Sequence, residues 1–150
     1  MSVPVQIVRT SPVAAERLWE VFVDWPRHGA YVPLSRLEVT GRPGVGQVVD
    51  AITRLGPLEV HDTMRVDIWQ PPSRERPGVA LLTKTGRVLS GFGRLEITAT
   101  GAGSRVQWDE DVRPRPAWLG RLTAPVATVP TRMLFARVVD GLVREAEQSR

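Results

Sequence analysis

Residues 104–116 read SRVQWDEDVRPRP. Val106, Trp108, Glu110 and Val112 fall on one face at the strand period of two, and Gln107, Asp109 and Asp111 fall on the other. The stretch is therefore a β-strand that carries a carboxyl group, Glu110, on its apolar face. Either that face meets water, or the carboxyl is wanted in an apolar place.

Upstream of this strand the same texture repeats. From Leu37 onward, short β-like runs alternate with turn residues: LEVT before GRPGVG, QVVDAITR before LGP, LEVHDTMRVDIW before QPPSRERPG, then VALLTKT, GRVLSGFGRLEITAT and, after GAGS, RVQWDEDV. Consecutive strands joined by short turns predict an antiparallel meander, because parallel neighbours need crossover helices. Before Leu37, VPVQIVRT reads as a first strand. Ser11 is placed as an N-cap with Pro12 at the first helical position, predicting a helix to about Trp25 with Ala14, Ala15, Leu18, Trp19 and Phe22 as its apolar stripe. A short helix or loop follows through RHGAYVP. After the last strand, Leu134, Phe135, Val138, Val139, Leu142, Val143 and Ala146 share one face of a long amphipathic helix. Pro125 and Pro130 predict a kink or a separate short helix before Thr131. A sheet with one apolar face and one long helix to cover it must curl around that helix, and the space between them is the natural ligand site.

The bulk properties fit a single domain over residues 1–150. Apolar residues make up 42% and charged residues 24%, ordinary for a globular protein. With no cysteine, thiolate nucleophiles, disulfides and cysteine metal sites are excluded. No leader pattern or membrane-length apolar run is seen, so a cytoplasmic protein without integral membrane association is expected. The net charge is +4, but the basic residues are scattered singly among acids, and all but one of the 20 are arginine, the exception being Lys84. Without a basic patch or a recognised motif, no nucleic-acid partner is expected. GRPGVG lies between strands, the wrong context for a phosphate loop.

The order of elements, together with DWPRHGAYVP, LGPLEVHDTMRVDIWQPP, TKTGRVLSGFG and SRVQWDEDV, resembles the START-like helix-grip (SRPBCC) superfamily over the whole chain, in a branch of small bacterial members. That superfamily includes the birch pollen allergen, lipid-transfer START domains and proteins labelled polyketide cyclase/dehydrase. The resemblance implies an α+β helix-grip fold: a seven-stranded antiparallel sheet curled around the C-terminal helix and an apolar cavity, with two short helices between strands 1 and 2. It does not imply one chemistry, because members bind lipids, hormones or polyketides and a minority catalyse. Tyr31 stands where many relatives carry a tryptophan, which adds a hydroxyl near the cavity mouth.

Strand parity then selects cavity candidates. Val60, Asp62, Met64, Val66 and Ile68 share a face, with His61, Thr63, Arg65 and Asp67 opposite, and Leu89, Gly91, Gly93, Leu95 and Ile97 share another. Gly91 and Gly93 either leave ligand space or mark a bend in a strongly curled sheet. The expected ligand-binding set is Trp19, Tyr31, Asp62, Met64, Val66, Leu89, Gly91, Gly93, Trp108 and Glu110, with Leu134 and Val138 from the last helix. Glu110, Asp62 and Tyr31 are the catalytic candidates; for the two acids the alternative is a buried acid paired with an arginine or capped by backbone donors. His28 is read as a loop residue at the cavity entrance and His61 as facing away from the acids, so no metal site and no cofactor are expected. Lys84 and Arg87, flanking a turn, are read as solvated charges or selectors of an anionic head group. Three functions remain open: binding a small hydrophobic or aromatic ligand, acid/base catalysis of the cyclase or dehydratase type, or protein interaction around a filled cavity.

Overall fold

The alternating runs become strands where their apolar residues can share one surface. A computed structural model describes residues 4–115 and 117–148, and within the last helix the side chains of residues 131–148. Strand β1 (Val5–Ser11) leads to helix α1 (Ala15–Phe22) and a 3-10 helix (Trp25–Tyr31). The meander follows: β2 (Ser35–Thr40), β3 (Val48–Leu55), β4 (Leu58–Gln70), β5 (Gly78–Lys84), β6 (Leu89–Thr100) and β7 (Gly103–Pro114). Helix α2 (Ala117–Gln148) closes the order. The seven strands form one antiparallel sheet in the order β1-β7-β6-β5-β4-β3-β2. This is the helix-grip arrangement.

The core sits between the concave face of this sheet and the helices. Val106, Leu95 and Ile97 from the central strands and Val139 and Leu142 from α2 are essentially inaccessible to water, as are Leu18 and Phe22 of α1. Trp25 is buried with its indole N–H donating to Gln47 Oε1 at 3.1 Å, so the ring is packed without an orphaned donor. Tyr31 lays its ring where a side chain on Gly141 would stand: a Cβ there would come within 2.3 Å of Tyr31 Cε1. A glycine costs an α-helix about 1 kcal/mol relative to alanine. Here it lets the 3-10 helix dock against α2, and the Tyr31 hydroxyl, donating to Glu145, fastens the contact.

Several expectations change. Ser11 is not an N-cap, because β1 continues through it and α1 starts after Ala14. Its hydroxyl donates instead to Glu147 Oε1 of α2 at 2.9 Å. Helix α1 ends at Phe22 rather than near Trp25, and Ala14 is exposed. The parity assigned to Ile68 fails because β4 has a bulge: Val66 pairs with Leu82 but Ile68 pairs with Leu81, leaving Asp67 without a partner across the ladder. Ile68 is turned outward, 43% exposed, and Trp69 turns inward, edge-on to Trp19 at a ring separation of 5.4 Å. The separate short helix expected before Thr131 does not form: α2 runs as one element from Ala117 to Gln148, through Pro125 and Pro130.

Of the two glycines in β6, Gly91 answers to the backbone. Its φ is +123°, and a Cβ would fall 1.9 Å from the Asp111 carbonyl oxygen of β7, a contact with no flexible partner to yield. Gly91→Ala is therefore expected to lower the urea-unfolding free energy by more than about 2 kcal/mol, whereas Gly101→Ala, which meets open space, should stay within about 0.5 kcal/mol of the parent. Equal midpoints for the two variants would refute this account of β6.

Candidate functional site

Between the concave face of β2–β7 and α2 the packing leaves a cavity of about 250 Å³. Leu37, Val49 and Leu82 of the sheet and Leu134, Phe135 and Val138 of α2 give it apolar walls, and Trp25 and Trp108 add flat aromatic surface. Its polar groups include two carboxyls, Asp62 from β4 and Glu110 from β7, and the imidazole of His28 from the 3-10 helix.

The two carboxyls are joined from behind by Lys84. This last residue of β5 is in phase with Ala80 and Leu82, so its side chain enters the interior, where only 1% of it is exposed. The ammonium lies 2.5 Å from Asp62 Oδ2, 3.1 Å from Glu110 Oε1 and 3.9 Å from the sulfur of Met64, the residue paired with it across β4 and β5. Lys84 and Glu110 belong to strands two apart, roughly 10 Å at the usual strand spacing, so the intervening β6 must present no bulky side chain between them. Gly93, directly paired with Glu110, meets that need. A Cβ on Gly93 would sit 2.8 Å from Glu110 Oε2 and 3.3 Å from Trp108 Cζ2, so the carboxyl lies over bare backbone. Trp108, two residues earlier on the same face, donates its indole N–H to Glu110 Oε2 at 2.9 Å.

Burial penalises every charge in this cluster, and the partners answer unequally. For Glu110, burial raises the pKa above the ordinary 4.5, and Lys84 and the Trp108 N–H recover only part of the shift. For Lys84, burial pulls downward, but the charges of Glu110 and Asp62 together prevail and hold the ammonium above 10.5. A carboxyl with a raised native pKa binds its proton more tightly when folded, so the Glu110 contribution to stability falls as pH rises from 4.5 through its folded value. The Lys84 contribution is complete below 10.5 and is lost as pH rises through its folded value. His28 shifts the other way, because burial lowers its pKa and keeps it neutral. Its Nε2 lies 2.8 Å from the Phe22 carbonyl, so that nitrogen carries the hydrogen and Nδ1 is left as an acceptor.

Of the residues singled out in the sequence, Asp62, Met64, Leu89, Gly93, Trp108, Glu110, Leu134 and Val138 line the cavity. Val66 is fully buried in the core, Trp19 packs on Trp69, Gly91 serves the backbone, and Tyr31 is engaged with Glu145 and Gly141. Two residues change role. Lys84 is a buried ion-pair partner and not a solvated turn charge, and His28 is a cavity wall residue, packed against Trp25 and Trp108 at ring separations of 5.5 and 5.7 Å. Among the described residues the basic partner of both acids is Lys84 and not an arginine. The sequence did hold a signal for Lys84: it is the one lysine in a chain that otherwise uses arginine, and it continues the apolar phase of its strand. His61, on the convex face, bonds Asp50 at 2.7 Å, and no group of acids and histidines among the described residues is arranged to hold a metal ion.

Removing one member of a buried ion cluster leaves its partners uncompensated, typically at about 3–5 kcal/mol. Lys84→Met is expected to destabilise the protein by that order in urea unfolding at neutral pH, and adding Glu110→Gln to it should recover part of the loss. A single variant as stable as the parent would mean that the ammonium does not organise this end of the cavity.

The comparisons with known proteins bear on the fold. No curated protein matches the chain. Among solved structures, a protein of Thermus thermophilus superposes with a TM-score of 0.78 at 15% identity, covering 98% of this chain and 99% of its own. The Zhui aromatase/cyclase from a Streptomyces species gives 0.64 at 19%, covering 99% and 95%, and a norcoclaurine synthase of Thalictrum flavum gives 0.65 at 16%, covering 98% and 97%. At these identities the likeness is one of fold. No described helix is long and apolar enough to cross a membrane. Residues 2–147 match the family model described as polyketide cyclase / dehydrase and lipid transport, and the chain belongs to that family.

Proposed function

We propose that this protein binds one small apolar or aromatic molecule between its sheet and α2. The observation that carries the reading is the cavity of about 250 Å³ itself, apolar and aromatic on its walls with two carboxyls among its few polar groups. Ligand pockets of folded proteins run from about 300 to 1,000 Å³ and combine an apolar lining with a few placed polar groups, so the site suits a small occupant. The open volume also weighs against an interaction module built around a filled interior.

A second reading rests on Glu110. It is 4% exposed, its pKa is raised by burial, and an ammonium stands 3.1 Å away, features that also suit a general acid or base of a cyclase or dehydratase. Asp62, joined to the same ammonium, is the neighbouring candidate. Binding is the simpler reading, because both oxygens of Glu110 are already held, one by Lys84 and the other by the Trp108 N–H.

Native mass spectrometry of protein purified gently from its own source tests the proposal. A releasable small molecule, present in the native spectrum and absent from the denatured one, is the expected result, and incubation with that molecule should then show whether Glu110→Gln alters turnover. An apo mass that stays unchanged after exposure to cell lipid and small-molecule extracts would overturn the proposal.

A further inference from the structure

The donors and acceptors at the cavity wall are unequally engaged. Lys84 has three N–H donors, and three neighbours take them: Asp62 Oδ2, Glu110 Oε1 and Met64 Sδ. The ammonium itself does not line the cavity. The Trp108 N–H is given to Glu110, the Trp25 N–H to Gln47, and the His28 Nε2–H to the Phe22 carbonyl. Ser35 and Thr53, which also line the cavity, bond each other through their hydroxyls at 2.6 Å.

Acceptors remain. Asp62 Oδ1 is buried and has no hydrogen-bond partner in the described structure, and such an atom calls for an explanation. His28 Nδ1 keeps its lone pair. No lysine or arginine lies among the described residues of the lining, while two carboxyls stand against one ammonium. Thr131, the remaining hydroxyl of the described lining, is also engaged, so among the described residues an anion placed beside the carboxyls would meet negative charge and no free side-chain donor, a burial that costs heavily.

Resting on the ligand-binding reading above, we infer that the cavity selects a ligand whose polar end is a hydrogen-bond donor. A protonated amine on an apolar or aromatic body fits it best and a hydroxyl next, and carboxylate- or phosphate-headed amphiphiles are rejected. Asp62 receives the donor, with Glu110 beside it. Lys84 is a positioning residue: it joins the two carboxyls, holding Asp62 by Oδ2 so that Oδ1 is the oxygen left without a partner. The apolar walls select the body of the ligand, and the carboxyls select its head.

The test uses three probes of one skeleton, naphthylethylamine, naphthylethanol and naphthylacetate, titrated calorimetrically into the full chain at neutral pH. The amine is expected to bind at least about tenfold more tightly than the carboxylate, with the alcohol between them. Asp62→Asn should bring the amine down to the affinity of the alcohol while leaving the alcohol nearly unchanged, a split that a general loss of folding does not produce. Naphthylacetate binding as tightly as the amine would overturn the head-group assignment and leave the cavity reading standing. Silence from all three probes would overturn both.

Discussion

The ammonium of Lys84, held between Asp62 and Glu110, is the interaction on which this end of the molecule depends. It connects β5 to β4 on one side and, across β6, to β7 on the other. That reach is possible only because Gly93 leaves the intervening strand bare beneath the Glu110 carboxyl. The polar end of the cavity is thus built by a charge and an absence of side chain together.

Such a cluster is a poor device for stability alone, since well-packed apolar side chains of similar volume often do as well or better. What it supplies is orientation. Lys84 fixes both carboxyls, Trp108 fixes the second oxygen of Glu110, and burial keeps His28 neutral with its acceptor nitrogen free. The sheet contributes the apolar walls and α2 closes the opposite side, anchored where Tyr31 seats against Gly141 and where Ser11 bonds Glu147. The family fold supplies the cavity, and this chain's own carboxyls stand at its polar end.

Much of this was legible in the amino-acid order. Period-two runs with short turns specify the antiparallel meander, and the apolar phase of Leu134 to Ala146 specifies the gripped helix. The parity of SRVQWDEDV places Glu110 inside. Other features are fixed by contacts between distant segments and leave little local trace. The bulge at Asp67, which reverses the phase of Ile68 and Trp69, depends on how β4 registers with β5. Ser11 resembles a cap, yet Glu147 far along the chain claims its hydroxyl. His28 looks like a loop residue until Trp25, Trp108 and the Phe22 carbonyl close around it. Lys84 is buried as the phase of its strand indicates, against the usual solvation of a charge next to a turn.

The most direct test of the central claim uses the fact that the chain contains a single lysine, so its side-chain nitrogen gives one self-assigned resonance. In protein labelled with ¹⁵N-lysine, the Nζ signal followed against pH should show an ammonium whose protons exchange slowly with water and which titrates above the ordinary 10.5. A rapidly exchanging ammonium that titrates at or below that value would place Lys84 in solvent and contradict the account.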